Sequence, residues 1–190
     1  MSLFEQTLDL RKAISDVQHP DTVSLMRDLA DAYLAAEQPE KALPLFDGFI
    51  AGHRGRFAPD DPGFASILAG VAFNLLQHRQ YPAAETYLRE CLTIREKKFP
   101  DDWRLFNTKS MLGGALAGQK KFQEAEPLLV EGYSGMKQRE AKIPPAAKSR
   151  LSEALRRLVD LYTAWEKPEE AAKWRAKLAS RPPEAEEQKN

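Results

Sequence analysis

The sequence predicts an all-α fold, a right-handed alpha-solenoid of antiparallel helix hairpins, and three observations predict it. Ala42, Ala84, Ala125 and Ala171 recur at spacings of 42, 41 and 46 residues. Each is preceded nine residues earlier by a large apolar residue: Tyr33, Leu75, Leu116 and Tyr162. Around these columns the apolar residues fall at i, i+3, i+4 and i+7, as in Met26, Leu29, Ala30 and Tyr33, which is one face of a helix. A period of this length marks supersecondary units that cannot bury an apolar face alone, so neighbours must stack.

Taken in order, the register opens in mid-unit. Phe4 lies 42 residues before Phe46, so residues 4–18 are expected to form an orphan second helix, either a cap or the start of a piece cut from a longer protein. Four hairpins are expected over residues 22–53, 63–98, 104–138 and 147–179, giving a repeat array over 4–179. The first helix of each, helix A, carries Leu29-Ala30, Val71-Ala72, Leu112-Gly113 or Leu158-Val159. A polar turn follows: Glu37-Gln38-Pro39, His78-Arg79-Gln80, Gln119-Lys120-Lys121 or Glu166-Lys167-Pro168. Helix B then begins near the recurrent alanine. The distance from the large apolar column to that alanine never varies, so the hairpin is the repeating object and length variation falls between hairpins. Small residues in both helices have a packing reason, since helices approach to about 8–10 Å only where the side chains between them are small. Pro182-Pro183 cannot continue a helix, which leaves residues 180–190 as a polar tail.

These columns resemble the tetratricopeptide repeat. The first two units match best, with Met26, Leu29, Ala30, Tyr33, Ala42 and Phe46, then Leu68, Val71, Ala72, Leu75, Ala84 and Leu88. The third keeps Leu112, Gly113, Leu116, Ala125 and Leu129 but has Lys109 at an apolar position. The fourth keeps Leu155, Leu158, Tyr162 and Ala171 but has Arg175 at one, with Trp174 beside it to fill the gap. A spacing near 42 exceeds the usual 34, and is similar to the kinesin-light-chain variety. Gln18-His19-Pro20-Asp21-Thr22 and Leu92-Thr93-Ile94-Arg95-Glu96-Lys97 resemble its linker phrases. In texture the chain also resembles tails of bacterial Ser/Thr protein kinases.

Composition bounds the function. The chain has 190 residues, 43% apolar and 29% charged, with 28 basic and 28 acidic side chains. Zero net charge gives no bulk attraction to nucleic acid or to an anionic membrane. The longest nearly apolar stretch, Ile67 to Leu76, is too short to span a bilayer. Glu5 and Asp9 in the first ten residues do not suit a secretory signal, so a cytoplasmic location is expected. Cys91 stands where the repeat wants a small helix B residue and is expected to be a buried structural thiol.

No catalytic, cofactor or metal constellation emerges. His19, His53 and His78 fall in turns or at helix ends, without ligand spacing, and are expected to be solvated. Asp60-Asp61 and Asp101-Asp102 resemble paired acid/base carboxylates, but both precede a helix A, where aspartate caps free backbone N–H groups. Gly113-Gly114 follows no strand, so no phosphate-cradling loop is expected. The chain is expected to be a non-enzyme.

The surface remains. The resemblance implies a concave groove lined by the A helices, taking an extended peptide or a partner helix. Its candidate lining is Arg27 and Asp31, Gly70 and Phe73, then Asn107, Ser110, Met111 and Gly114, then Arg156, Arg157 and Asp160. Its middle is small and apolar and its ends are charged. A lysine/asparagine clamp for a terminal carboxylate is not reproduced at Arg27, Asp31, Gly70, Asn107 and Met111, nor are the mid-helix asparagines of kinesin light chains. The expected function is a non-catalytic protein-interaction module, a regulatory or scaffolding segment of a larger signalling protein. The alternative is self-association through the terminal repeats.

Overall fold

The computed structural model describes Gln6 and residues 19–181. The expected orphan helix over 4–18 therefore lies, Gln6 apart, outside the described residues, as does the tail beyond Arg181. All regular structure among the described residues is helical. The chain divides into two compact units between Lys98 and Phe99.

The first unit contains two hairpins, α1 (Pro20–Ala35) with α2 (Pro39–Arg54) and α3 (Pro62–Gln77) with α4 (Tyr81–Lys98). The second contains α5 (Trp103–Gly118) with α6 (Phe122–Gln138) and α7 (Ser149–Ala164) with α8 (Pro168–Ala179). The odd-numbered helices are the A helices. Residues 139–148, which account for the longer last spacing, form two 3-10 turns, Glu140–Lys142 and Pro145–Ala147, and bury Ile143 with Met136, Leu151 and Ala154.

The paired aspartates divide their labour. The second of each pair caps a helix A: Asp61 Oδ1 accepts from Gly63 N at 2.6 Å, and Asp102 Oδ1 accepts from Arg104 N at 2.7 Å. These bonds satisfy backbone donors that the first helical turn leaves free. The first of each pair is an ion-pair anchor. Asp60 meets Lys97 and Lys98, each at 3.0 Å, and Asp101 meets Arg139 at 2.5 Å and Lys142 at 3.1 Å.

All four turns inside the hairpins have one geometry. Glu37, Arg79, Lys120 and Glu166, at equivalent places in the repeat, have φ of 56°, 58°, 62° and 56°. The next residue's N–H then reaches back to the large apolar column, Gln38 to Tyr33 O at 2.9 Å, Gln80 to Leu75 O at 2.8 Å, Lys121 to Leu116 O at 3.0 Å and Lys167 to Tyr162 O at 2.9 Å. This is the left-handed C-terminal cap, formed here by non-glycine residues.

The recurrent alanines are packing residues. Ala42, Ala84, Ala125 and Ala171 are buried, as are Leu29, Val71, Leu112 and Leu158, and each such leucine stabilises by about 1.5–3 kcal/mol. Cys91 is fully buried and its thiol donates to Ala65 O at 3.2 Å. The backbones of α5 and α6 approach closely at Gly132, where an added Cβ would stand 2.6 Å from Ser110 N and 2.8 Å from Phe106 O. Two tyrosines tie hairpins together: Tyr87 donates to Asp47 Oδ1 at 2.5 Å and Tyr162 to Glu126 Oε1 at 2.7 Å. Burial and the carboxylate partner push both phenols above their usual range.

The two departures from the repeat pattern are accommodated. Lys109 is mostly buried, with its ammonium 2.5 Å from Glu131 Oε1, so its stem covers apolar surface while its charge is paired. Arg175 points outward to Thr163 Oγ1 at 3.1 Å, and Trp174 packs edge-on against Tyr133 with ring centroids 5.6 Å apart.

The histidines depart from the expected solvated state. His53 and His78 are half-buried, and their Nδ1 atoms lie 2.9 Å and 3.0 Å from Phe49 O and Asn74 O. Each ring turns back onto its own helix, against the carbonyl one turn earlier, and Asn74 O accepts the His78 backbone N–H at 3.2 Å as well. Only His19 is exposed, accepting from Asp21 N at the start of α1.

Candidate functional site

In the first unit the candidate residues lie on α1 and α3, which a hydrogen bond from Asn74 Nδ2 to Asp31 Oδ1 holds side by side. Arg27 Nε lies 3.7 Å from Asp31 Oδ2, and both side chains stay partly exposed. Burial raises the Asp31 pKa, against the opposing pull of Arg27 and of the Asn74 bond. Asp28 is exposed and has no ion-pair partner among the described residues. Gly70 stands one turn before Asn74 on α3, and an added Cβ there would meet nothing within 4 Å. Phe73 is half-buried beside it.

The second unit is arranged differently. Arg157 on α7 reaches across to α5, where an added Cβ on Gly114 would stand 2.9 Å from Arg157 Cδ. Its guanidinium donates to Ser110 Oγ at 3.3 Å and to Glu153 Oε2 at 3.2 Å. Glu153 is held in turn by Arg150, whose Nη1 lies 3.0 and 2.9 Å from the two carboxylate oxygens. Only 15% of the Arg157 side chain is exposed, and this burial lowers its pKa. The floor of small residues expected to receive a ligand is thus covered by the chain's own arginine.

Three of the expected lining residues are buried. Ser110 is fully buried because it faces both Arg157 and the close approach of α6 at Gly132. Met111 is 2% exposed and Asn107 9%, with Asn107 Nδ2 donating to Met111 Sδ at 3.5 Å one turn along the same helix face. Asn107 Oδ1 has no hydrogen-bond partner among the described residues. Of the adjacent arginines, Arg156 is exposed and Arg157 is the inward one, as the 100° between neighbouring helical residues requires. Asp160 is exposed. No group of three His, Cys, Asp or Glu side chains among the described residues could hold a metal ion. No described helix is long and apolar enough to cross a membrane.

With this geometry in view, a protein-family model described as a tetratricopeptide repeat matches residues 64–102, spanning the second hairpin. Among solved structures, the chain is similar to a single-substitution form of a kinesin-light-chain-like protein of Podosopora anserina with nearly identical TPR-like repeats. That likeness has a TM-score of 0.69 at 20% identity, over 93% of this chain and 82% of the other. The form without that substitution gives a TM-score of 0.67 at the same identity and coverage. BtubC (BKLC) from P. vanneervenii gives 0.59 at 18% identity, over 95% of this chain and 81% of the other. At these identities the likeness is one of fold. No curated protein matches the sequence. Residues 64–102 match a tetratricopeptide repeat, and the chain has the fold of the long, kinesin-light-chain-like tetratricopeptide arrays.

Proposed function

We propose that this chain is a non-catalytic protein-interaction module that holds a partner segment, a peptide or a helix, on the exposed faces of its A helices. Tetratricopeptide repeats are in general a scaffold for binding proteins, and this chain's hairpins present the same kind of face. The observation that carries the reading is Gly70. A glycine within a helix costs about 1 kcal/mol relative to alanine. In α6 that cost has a packing reason, since Gly132 lets two backbones meet. At Gly70 no neighbour requires it, while Leu68, Val71 and Ala72 on the same helix are fully or almost fully buried in the hairpin. Room left on an open helix face is room for a ligand.

The test is affinity capture from a cell extract, with the parent chain compared with Gly70→Leu and with Asp28→Lys. A partner retained by the parent and lost by both variants, each still folded by circular dichroism, supports the reading. Equal capture by all three removes the helix A face of the first unit as the binding surface. A mass that rises with protomer concentration in sedimentation, without any partner, would favour self-association instead.

A further inference from the structure

Three columns of the repeat change character in the fourth hairpin. Phe46, Leu88 and Leu129 stand four residues after the recurrent alanine and are fully buried, whereas Arg175 in their column is exposed. Ala30, Ala72 and Gly113 form a second column of small, buried residues, whereas Val159 in it is branched and half-buried. In the third column Leu34 is buried and Leu76 and Ala117 are half-buried, but Thr163 is exposed. The first two changes are linked by size. An added Cβ on Gly113 would stand 2.6 Å from Leu129 Cγ, so the two columns share one space, which a small helix A residue leaves to a large helix B residue. Val159 reverses that division. A large apolar residue opposite it would be crowded, and Arg175 instead turns out, its Nη2 donating to Thr163 Oγ1 at 3.1 Å. Among the described residues of this hairpin no large apolar side chain is exposed.

We infer that the fourth hairpin is a cap: the α7–α8 face that carries Thr163 and Arg175 is finished for water and takes no second copy of this chain stacked on it. In a repeat array each unit covers the apolar face of its neighbour, and a unit with a polar outer face stops the stacking. A copy seated here would strip water from the Arg175 cation, whose partner is a neutral hydroxyl. The cap stands apart from the A-helix reading above, where Gly70 lies in the first unit, and it removes one surface from the self-association alternative.

The test restores the internal pattern in the full chain. Val159→Ala/Thr163→Leu/Arg175→Leu gives the fourth hairpin the residues that the second has in these columns, Ala72, Leu76 and Leu88. In sedimentation equilibrium its average mass should climb with protomer concentration above that of the parent, whereas Arg175→Glu should match the parent at every concentration. Melting temperatures carry the test if the triple variant does not fold. Arg175→Leu alone should melt no higher than the parent, while Val159→Ala/Arg175→Leu should melt higher than Val159→Ala, because leucine finds room only where Val159 gives it up. An Arg175→Glu variant lighter than the parent would show that copies already meet on this face and would overturn the cap. So would a folded triple variant with the parent's mass throughout, Arg175→Leu melting above the parent, or equal melting of Val159→Ala with and without Arg175→Leu.

Discussion

Arg157 lies over Gly114: an added Cβ on the glycine would stand 2.9 Å from Arg157 Cδ and 3.4 Å from its Nε. A helix A glycine and the arginine of the following hairpin thus fill one space, and Glu153 and Arg150 hold the arginine there. Gly114→Leu should expel Arg157 and destabilise the fold by about 1–3 kcal/mol, as overpacking does. Adding Arg157→Ala should recover part of that loss, because the two side chains compete for the same volume. A double-mutant cycle by chemical denaturation measures this, and strict additivity would show that the two do not share the space.

The four hairpin turns hold an L-residue in the left-handed region, which costs about 1–2 kcal/mol at each and which glycine avoids. Lys120→Gly should therefore stabilise by roughly 0.5–1 kcal/mol, and Glu37→Gly likewise, after the greater freedom of glycine in the unfolded chain is counted. Lys121→Gly, one residue further on at φ −83°, should not stabilise. Melting temperatures of the three variants check this.

The core register is tested at Ala84 and Cys91. Ala84→Leu should destabilise the second hairpin by about 1–3 kcal/mol, since Ala84 is fully buried between α3 and α4. A thiol reagent should label Cys91 slowly in the native protein and rapidly after unfolding, because the thiol is enclosed and bonded to Ala65 O.

The carboxyl of Asp60 is held down at about 2 by hydrogen bonds from Lys97 and Lys98. Its folded pKa lies below the unfolded value, so it contributes stability above about pH 4, and that contribution is lost as the pH falls through about 2. Nuclear magnetic resonance titration of the Asp60 carboxyl should give that low midpoint. Lys97→Ala with Lys98→Ala should return it toward the ordinary carboxylate range, and salt should do so in part because the group is partly exposed.

Much of the fold was legible because its signal is a distance along the chain. The interval from Tyr33 to Ala42 recurs unchanged, and the turn geometry explains why: all four turns use the same left-handed residue and the same backward hydrogen bond. That left-handed residue was itself not legible, since Glu37, Arg79, Lys120 and Glu166 share no chemistry that favours it. The capping aspartates were legible from their place before helix A, but the separate ion-pair role of Asp60 and Asp101 depends on cations 37–41 residues away. The candidate surface was read least well. Helix periodicity places Arg156 and Arg157 about 100° apart without saying which turns inward, and Ser110 is buried by a close approach at Gly132 that periodicity does not mark.

The most direct measurement of the central claim, that the A helices present the binding surface, is site-specific photo-crosslinking. A benzophenone side chain placed at the exposed positions Ser24 and Ser66, on the A helices of the first unit, should join covalently to a captured partner. The same group at exposed Glu40 and Thr86, on the B helices, should not. Crosslinks formed from Glu40 and Thr86 alone would contradict the account and place the partner on the helix B face.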